Sequence, residues 1–137
     1  MTDVSKATTK ASGQGVTLIR RLAVINLGLV ALQAISAGLL LSGSGLAITA
    51  HASVALALLF GALIQAVTAS VLWRRRHVPA WVAGIGLALF MIVFLQIGLG
   101  YRRSYWLHVP IGVGIFGGLT RQVSRLDTLW RASEARS

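Results

Sequence analysis

Four stretches of the chain are apolar almost without interruption, and short polar turns separate them. Residues 22–41 hold no charged side chain over 20 positions. At about 1.5 Å per residue, a helix of that length crosses a hydrocarbon core of about 30 Å. The second apolar stretch is 48–73, the third 79–100 and the fourth and shortest 105–122. Between them stand "SGSGLA", "RRRHV" and "RRS". Turns this short make consecutive helices antiparallel neighbours. Pro79 suits a first helical turn, where its missing N–H costs nothing. The pattern predicts an all-α fold: an integral membrane four-helix up-down bundle over residues 20–122.

The flanks read differently. Residues 1–19 are rich in Ser, Thr, Lys and Gly and are expected to be disordered. Residues 123–137 form an amphipathic tail in which Val123, Leu126 and Trp130 recur at helical spacing, with Arg125 and Arg131 between them. That pattern fits a short helix on the membrane surface or an extension of the fourth helix. The first apolar run and its polar leader are both long for a secretory signal, so it is expected to be retained, although "AITAHA" resembles a cleavage site.

Composition agrees with the membrane class: 55% of residues are hydrophobic and the mean hydropathy is +0.76. Without cysteine there can be no disulfide, thiolate metal site, iron–sulfur cluster or covalently attached c-type haem. A net charge of +10 on a soluble protein would point to nucleic acid. Here the basic residues stand at the ends of the apolar segments, and orientation in a bilayer explains them without a nucleic-acid partner. Lys6, Lys10, Arg20 and Arg21 precede the first helix, Arg74, Arg75 and Arg76 follow the second, and Arg121, Arg125, Arg131 and Arg136 follow the fourth. Only Arg102 and Arg103 fall on the opposite side. The positive-inside rule then places both termini in the cytoplasm and the chain in the cell (inner) membrane, crossing it several times. Trp73, Trp81, Tyr101, Tyr105 and Trp106 lie near segment ends, as interfacial aromatics do.

The candidate chemistry is a pair of histidines. His51 and His108 each lie about one turn into the second and fourth helices, which are parallel, so they reach similar depth near the outer face. The sequences "HASVALALLFG" and "HVPIGVGIFGG" align with Ala55 and Gly112 one turn below the imidazoles. Together with Gln33 in "LQAISAG" and Gln96 in "LQIGLG", they read as a weak tandem repeat of two helices, or as chance likeness among glycine-rich apolar segments. Facing imidazoles above small residues suit a haem held by axial nitrogens. Arg102 and Arg103, at the same mouth, suit its propionates, or else lipid headgroups. Gln33, Gln65 and Gln96 are suited to interhelical hydrogen bonds, or to contacts behind a histidine or with a quinone. Pro110 threatens a regular helical turn at His108. His77 follows three arginines and reads as solvated, not as a ligand.

Histidines on the second and fourth helices of a four-helix unit resemble one half of haem A synthase and, more loosely, other small membrane b-type cytochromes. The likeness covers the four apolar segments and rests on His51, His108 and the helix order. It implies haem b near the outer face with bis-histidine ligation. The acidic and arginine residues that accompany the synthase histidines are not seen beside His51, and one histidine pair stands where transmembrane electron carriers often have two.

No Asp or Glu lies in the apolar segments, which argues against a proton pump or ion-coupled transporter. No carboxylate pair or Ser-His-Asp arrangement supports hydrolysis. The reading is an electron-transfer protein or a subunit of a larger membrane redox complex rather than a stand-alone enzyme. Its rival is a haem-free accessory subunit that packs on a partner, or on a second copy, through glycine faces such as Gly114 and Gly118.

Overall fold

The computed structural model describes the backbone from residue 2 to 135 and the side chains from residue 13 to 135. Lys6, Lys10 and Arg136, counted above for orientation, have side chains outside that range. Four helices follow one another: α1 Thr2–Leu41, α2 Leu46–Arg74, α3 Ala80–Tyr101 and α4 Tyr105–Glu134. Among the described residues there is no strand. Each helix touches its two neighbours in a closed ring, α1 against α2 and α4, and α3 against α2 and α4, so that α2 and α4 are diagonal. One end of the bundle holds both termini and the α2–α3 turn. The other holds the α1–α2 and α3–α4 turns and the two histidines.

The three turns share one device. Each of the first three helices ends with a residue of positive φ, Gly43 (82°), Arg76 (60°) and Arg103 (56°). The next amide reaches back five residues: Ser44 N to Leu39 O, His77 N to Leu72 O and Ser104 N to Leu99 O, at 3.2, 2.9 and 3.0 Å. This is the Schellman arrangement, which satisfies the last helical carbonyls and reverses the chain within a few residues. Glycine is the usual occupant because a side chain there costs about 1 kcal/mol or more. Two of the three positions are nonetheless arginine.

Inside and outside are inverted relative to a water-soluble bundle. Large apolar side chains such as Ile25, Phe60, Ile64, Met91, Phe94 and Val113 point outward. The interior combines Val, Leu and Ile with small and amide-bearing residues, among them Ala23, Ala62, Ala66, Ala69, Asn26, Gln65 and Gln122. Such an interior lets helices approach closely, and amides then bond across the gap. At Gly86 backbone meets backbone: an added Cβ would sit 3.2 Å from the Ala66 Cα and 3.5 Å from the Gln65 carbonyl oxygen.

Three helices are long and apolar enough to cross a membrane: α1 from Gly13, α2 and α3. The fourth stretch, expected to match them, falls short. His108, Pro110 and four glycines dilute residues 105–122, and Arg121 ends the run. The flanks also differ from expectation. Residues 13–19 are helical and packed, with Ile19 fully buried, so disorder to residue 19 is corrected. The tail is continuous with α4 rather than a separate surface helix. Leu126 is wholly buried among Val16, Ile19, Ala23, Ala69 and Val82, and Val123 and Trp130 pack on that cluster. The Arg20 guanidinium donates to the Asp127 carboxylate and lies 5.0 Å above the Trp130 ring, which ties α1 to this end of α4.

Gly86→Val should lower the unfolding free energy in detergent by about 1–3 kcal/mol, because the backbone of α2 cannot move aside. Gly84→Val, where an added Cβ meets nothing within 4 Å, should stay within about 0.5 kcal/mol of the parent. Equal effects at the two positions would contradict the close α2–α3 contact.

Candidate functional site

The interior is layered along the bundle. His51 and His108 occupy one level, and an apolar layer of Val30, Leu58, Ala62, Leu89, Val93, Ile115 and Leu119 lies below it. A level of amides follows, and the Ile19–Leu126 cluster closes the far end. Fourteen residues separate His51 from Gln65, and fourteen separate His108 from Gln122, a distance of about 21 Å along each helix.

At the first level the two imidazole rings meet across the diagonal, with centroids 6.2 Å apart and planes at 58°. Both are half-buried. His51 is the sixth residue of α2 and His108 the fourth of α4, which explains their matched depth. Pro110 does not disturb this. The His108 amide donates to Ser104 O at 2.9 Å, and α4 runs through the proline. The other two helices hold the rings. From α1, Ser36 Oγ lies 3.0 Å from His51 Nδ1 and also 3.0 Å from the Gln33 carbonyl oxygen. From α3, the Gln96 carbonyl oxygen lies 3.0 Å from His108 Nδ1, and Gln96 Nε2 donates back to the His108 carbonyl oxygen at 2.8 Å. All four helices thus contribute one residue, and both rings are held at Nδ1, which leaves Nε2 as the nitrogen for a ligand.

Two glycines make room for this arrangement. A Cβ on Gly100 would lie 3.2 Å from the His108 Cε1, so α3 backs directly onto the ring. A Cβ on Gly112 would lie 3.2 Å from Gln96 Nε2. Gly112 therefore admits the Gln96 amide to the His108 carbonyl, whereas the sequence suggested that it opened a slot below the ring. Ala55 is half-buried one turn beyond His51. Gln33 stands behind Ser36, with its carbonyl and its Oε1 at 3.0 and 3.3 Å from the hydroxyl. Arg102 and Arg103 are exposed in the turn that begins just after Gly100, and neither makes an ion pair among the described residues.

The ring spacing can be set against that of two imidazoles sharing one metal. Two imidazoles bound through Nε2 on opposite sides of one metal, with metal–nitrogen bonds of about 2 Å, have ring centres about 6 Å apart. The observed spacing is of that size. Among the described residues no three His, Asp or Glu gather, so a metal held by protein side chains alone is not provided for.

The second polar level is a chain of amides. Asn26 Nδ2 donates to Gln65 Oε1 at 2.8 Å, and Gln65 Nε2 donates to Gln122 Oε1 at 3.2 Å. All three residues are at most 1% exposed. The chain crosses the diagonal that the histidines cross at the other level. Its ends, Asn26 Oδ1 and Gln122 Nε2, make no further hydrogen bond, and neither does Gln96 Oε1 above. Asn26 Oδ1 lies against Gly61, where an added Cβ would be 2.3 Å away. Asn26, Ser36 and Gln122 were not singled out from the sequence. The signal was available: Asn26, Gln33 and Ser36 are isolated polar residues at helical spacing in an uncharged apolar run.

No family model, curated protein or solved structure matches this chain.

Gly61→Ala forces Asn26 out of place and leaves Gln65 Oε1 without its donor. The expected cost is about 1–3 kcal/mol of stability. Gly114→Ala, which meets nothing within 4 Å, serves as the control. Unfolding of both variants in the same detergent checks this.

Proposed function

We propose that the chain is a multi-pass protein of the cell membrane, with both termini cytoplasmic, that binds haem b between His51 and His108 near the outer face. Its role is electron transfer or service as a haem-bearing subunit of a larger redox complex. The observation that carries this reading is the ring pair: imidazoles from diagonal helices, 6.2 Å apart, each held at Nδ1 by a different third helix. Histidines that merely reach interfacial water have no need of that support. The chemistry supplied at such a site is a one-electron ferric–ferrous couple. The chain's own part is to fix two nitrogens and to offer the Arg102 and Arg103 guanidinium groups to carboxylates at the mouth. The orientation rests on the charge count, which puts Arg74–Arg76, Arg121, Arg125 and Arg131 at the end opposite the histidines.

Protein purified from a haem-replete host should show a Soret band and a sharp reduced α band. His51→Ala and His108→Ala should each abolish the low-spin spectrum. Unchanged spectra in both variants would rule out the assignment.

Arg103 gives a second test. It occupies a position that favours glycine, as Arg76 does at the opposite end, and it stands at the same mouth as the histidines. Arg103→Gly should raise stability by about 1 kcal/mol while weakening haem retention on dilution. A variant more stable and equally retentive would remove Arg103 from the site.

One observation favours the rival, a haem-free accessory subunit. Gly114, Gly117 and Gly118 face outward on α4, and an added Cβ at any of them meets nothing within 4 Å. This face suits close packing by a partner's helix or a second copy. Copurification of a stoichiometric partner with colourless protein would decide for it.

A further inference from the structure

The hydrogen bonds at the histidine level determine where the ring protons sit. Ser36 has one hydroxyl proton and two neighbours at 3.0 Å, the Gln33 carbonyl oxygen and His51 Nδ1. The Gln33 side-chain Oε1 is also within 3.3 Å, and we assign the Ser36 proton to its own helix, to the Gln33 carbonyl, the back-bond usual for a serine within a helix. The hydroxyl oxygen is then the acceptor, and His51 Nδ1 carries a hydrogen. At His108 the partner is again a main-chain carbonyl, that of Gln96, at 3.0 Å. Nδ1 of His108 must carry a hydrogen as well. The Gln96 side chain holds that carbonyl in register by donating to the His108 carbonyl oxygen.

We infer that Ser36 and the Gln96 main chain lock both imidazoles in the Nδ1–H tautomer, so that His51 and His108 present two Nε2 lone pairs and take an electron-pair acceptor without any ring losing or moving a proton. Two neutral rings in this state cannot hydrogen-bond to each other, since both Nε2 atoms only accept. A Lewis acid placed between them, or a water donating to both, satisfies the two lone pairs. This deepens the haem reading and rests on it for the identity of that ligand. The two rings are also unequal. The His108 tautomer depends on main chain, whereas that of His51 depends on one removable hydroxyl, which makes Ser36 a positioning residue.

The test uses the full chain labelled with 15N-histidine in phosphatidylcholine nanodiscs at pH 8 without added haem. His77→Asn assigns the third histidine. In the parent, His51 and His108 should both show a protonated Nδ1 and an unprotonated Nε2. Ser36→Ala should lower the His51 tautomer ratio about five- to tenfold, the worth of one neutral hydrogen bond, with His108 unchanged. Ser36→Thr should restore it. A parent in which either ring carries its proton mainly on Nε2, or a Ser36→Ala protein with an unaltered His51 ratio, overturns the lock. If Ser36→Ala does not fold, the parent and Ser36→Thr spectra still decide. Absence of a Soret band with both tautomers as expected would remove the haem and leave the lock standing; a Soret band with the opposite tautomers would do the reverse.

Discussion

The arrangement depends on how closely the helix backbones approach. Small residues face inward at Ala62, Ala66, Ala69 and Gly86, between the buried Val, Leu and Ile of the two apolar clusters. Close approach makes the interior polar chemistry possible. An amide side chain is short. Asn26 reaches Gln65 and Gln65 reaches Gln122 across the diagonal only because nothing large stands between α2 and α4 at that level. The histidines obey the same limit. Larger side chains at Gly100 or Gly112 would displace the His108 ring or the Gln96 amide that secures it.

The two polar levels use the same geometry for different ends. Three amides form a directional chain, donor to acceptor, at depth and almost without exposure. They fix the register of α1, α2 and α4, because sliding any helix by one residue would separate bonded groups in an interior that offers no substitute partners. The histidines, half-exposed at the bundle mouth, hold their remaining nitrogens out of that network. The amide level is bonded through its middle, whereas the histidine level engages only Nδ1 of each ring. Between them a purely apolar layer from Val30 to Leu119 keeps the levels apart. The far end is tied separately, through Arg20, Asp127 and Trp130.

Much of this was legible in the residues. Long uncharged runs divided by "SGSG", "RRRH" and "RRS" require helices with tight reversals, and all four helices form with those turns. Similar depth for His51 and His108 followed from their position about one turn into parallel helices, and the rings do meet. The limits of the helices were less legible. Residues 13–19 looked like a polar leader and 123–137 like an amphipathic tail on the membrane surface or an extension of the fourth helix, yet Val16, Ile19 and Leu126 share one buried cluster. No local pattern shows that a polar leader and an amphipathic tail will cover each other. Gly112 was read as space for a ring because its neighbour on α3 was unknown; that neighbour is the Gln96 amide.

Hydropathy and turn length alone therefore determined an all-helical chain with apolar elements fit to cross a membrane, since both depend only on contiguous residues. The identity of the groups that hold each histidine was decided in tertiary structure. Ser36 lies 15 residues from His51, and Gln96 lies 12 from His108. Each pair is brought together across a helix reversal, and the rotation of each helix about its axis selects which polar atom faces which. That rotation is set by packing at alanine and glycine contacts, where the sum of many small approaches chooses the facing side, and no single stretch of sequence contains it.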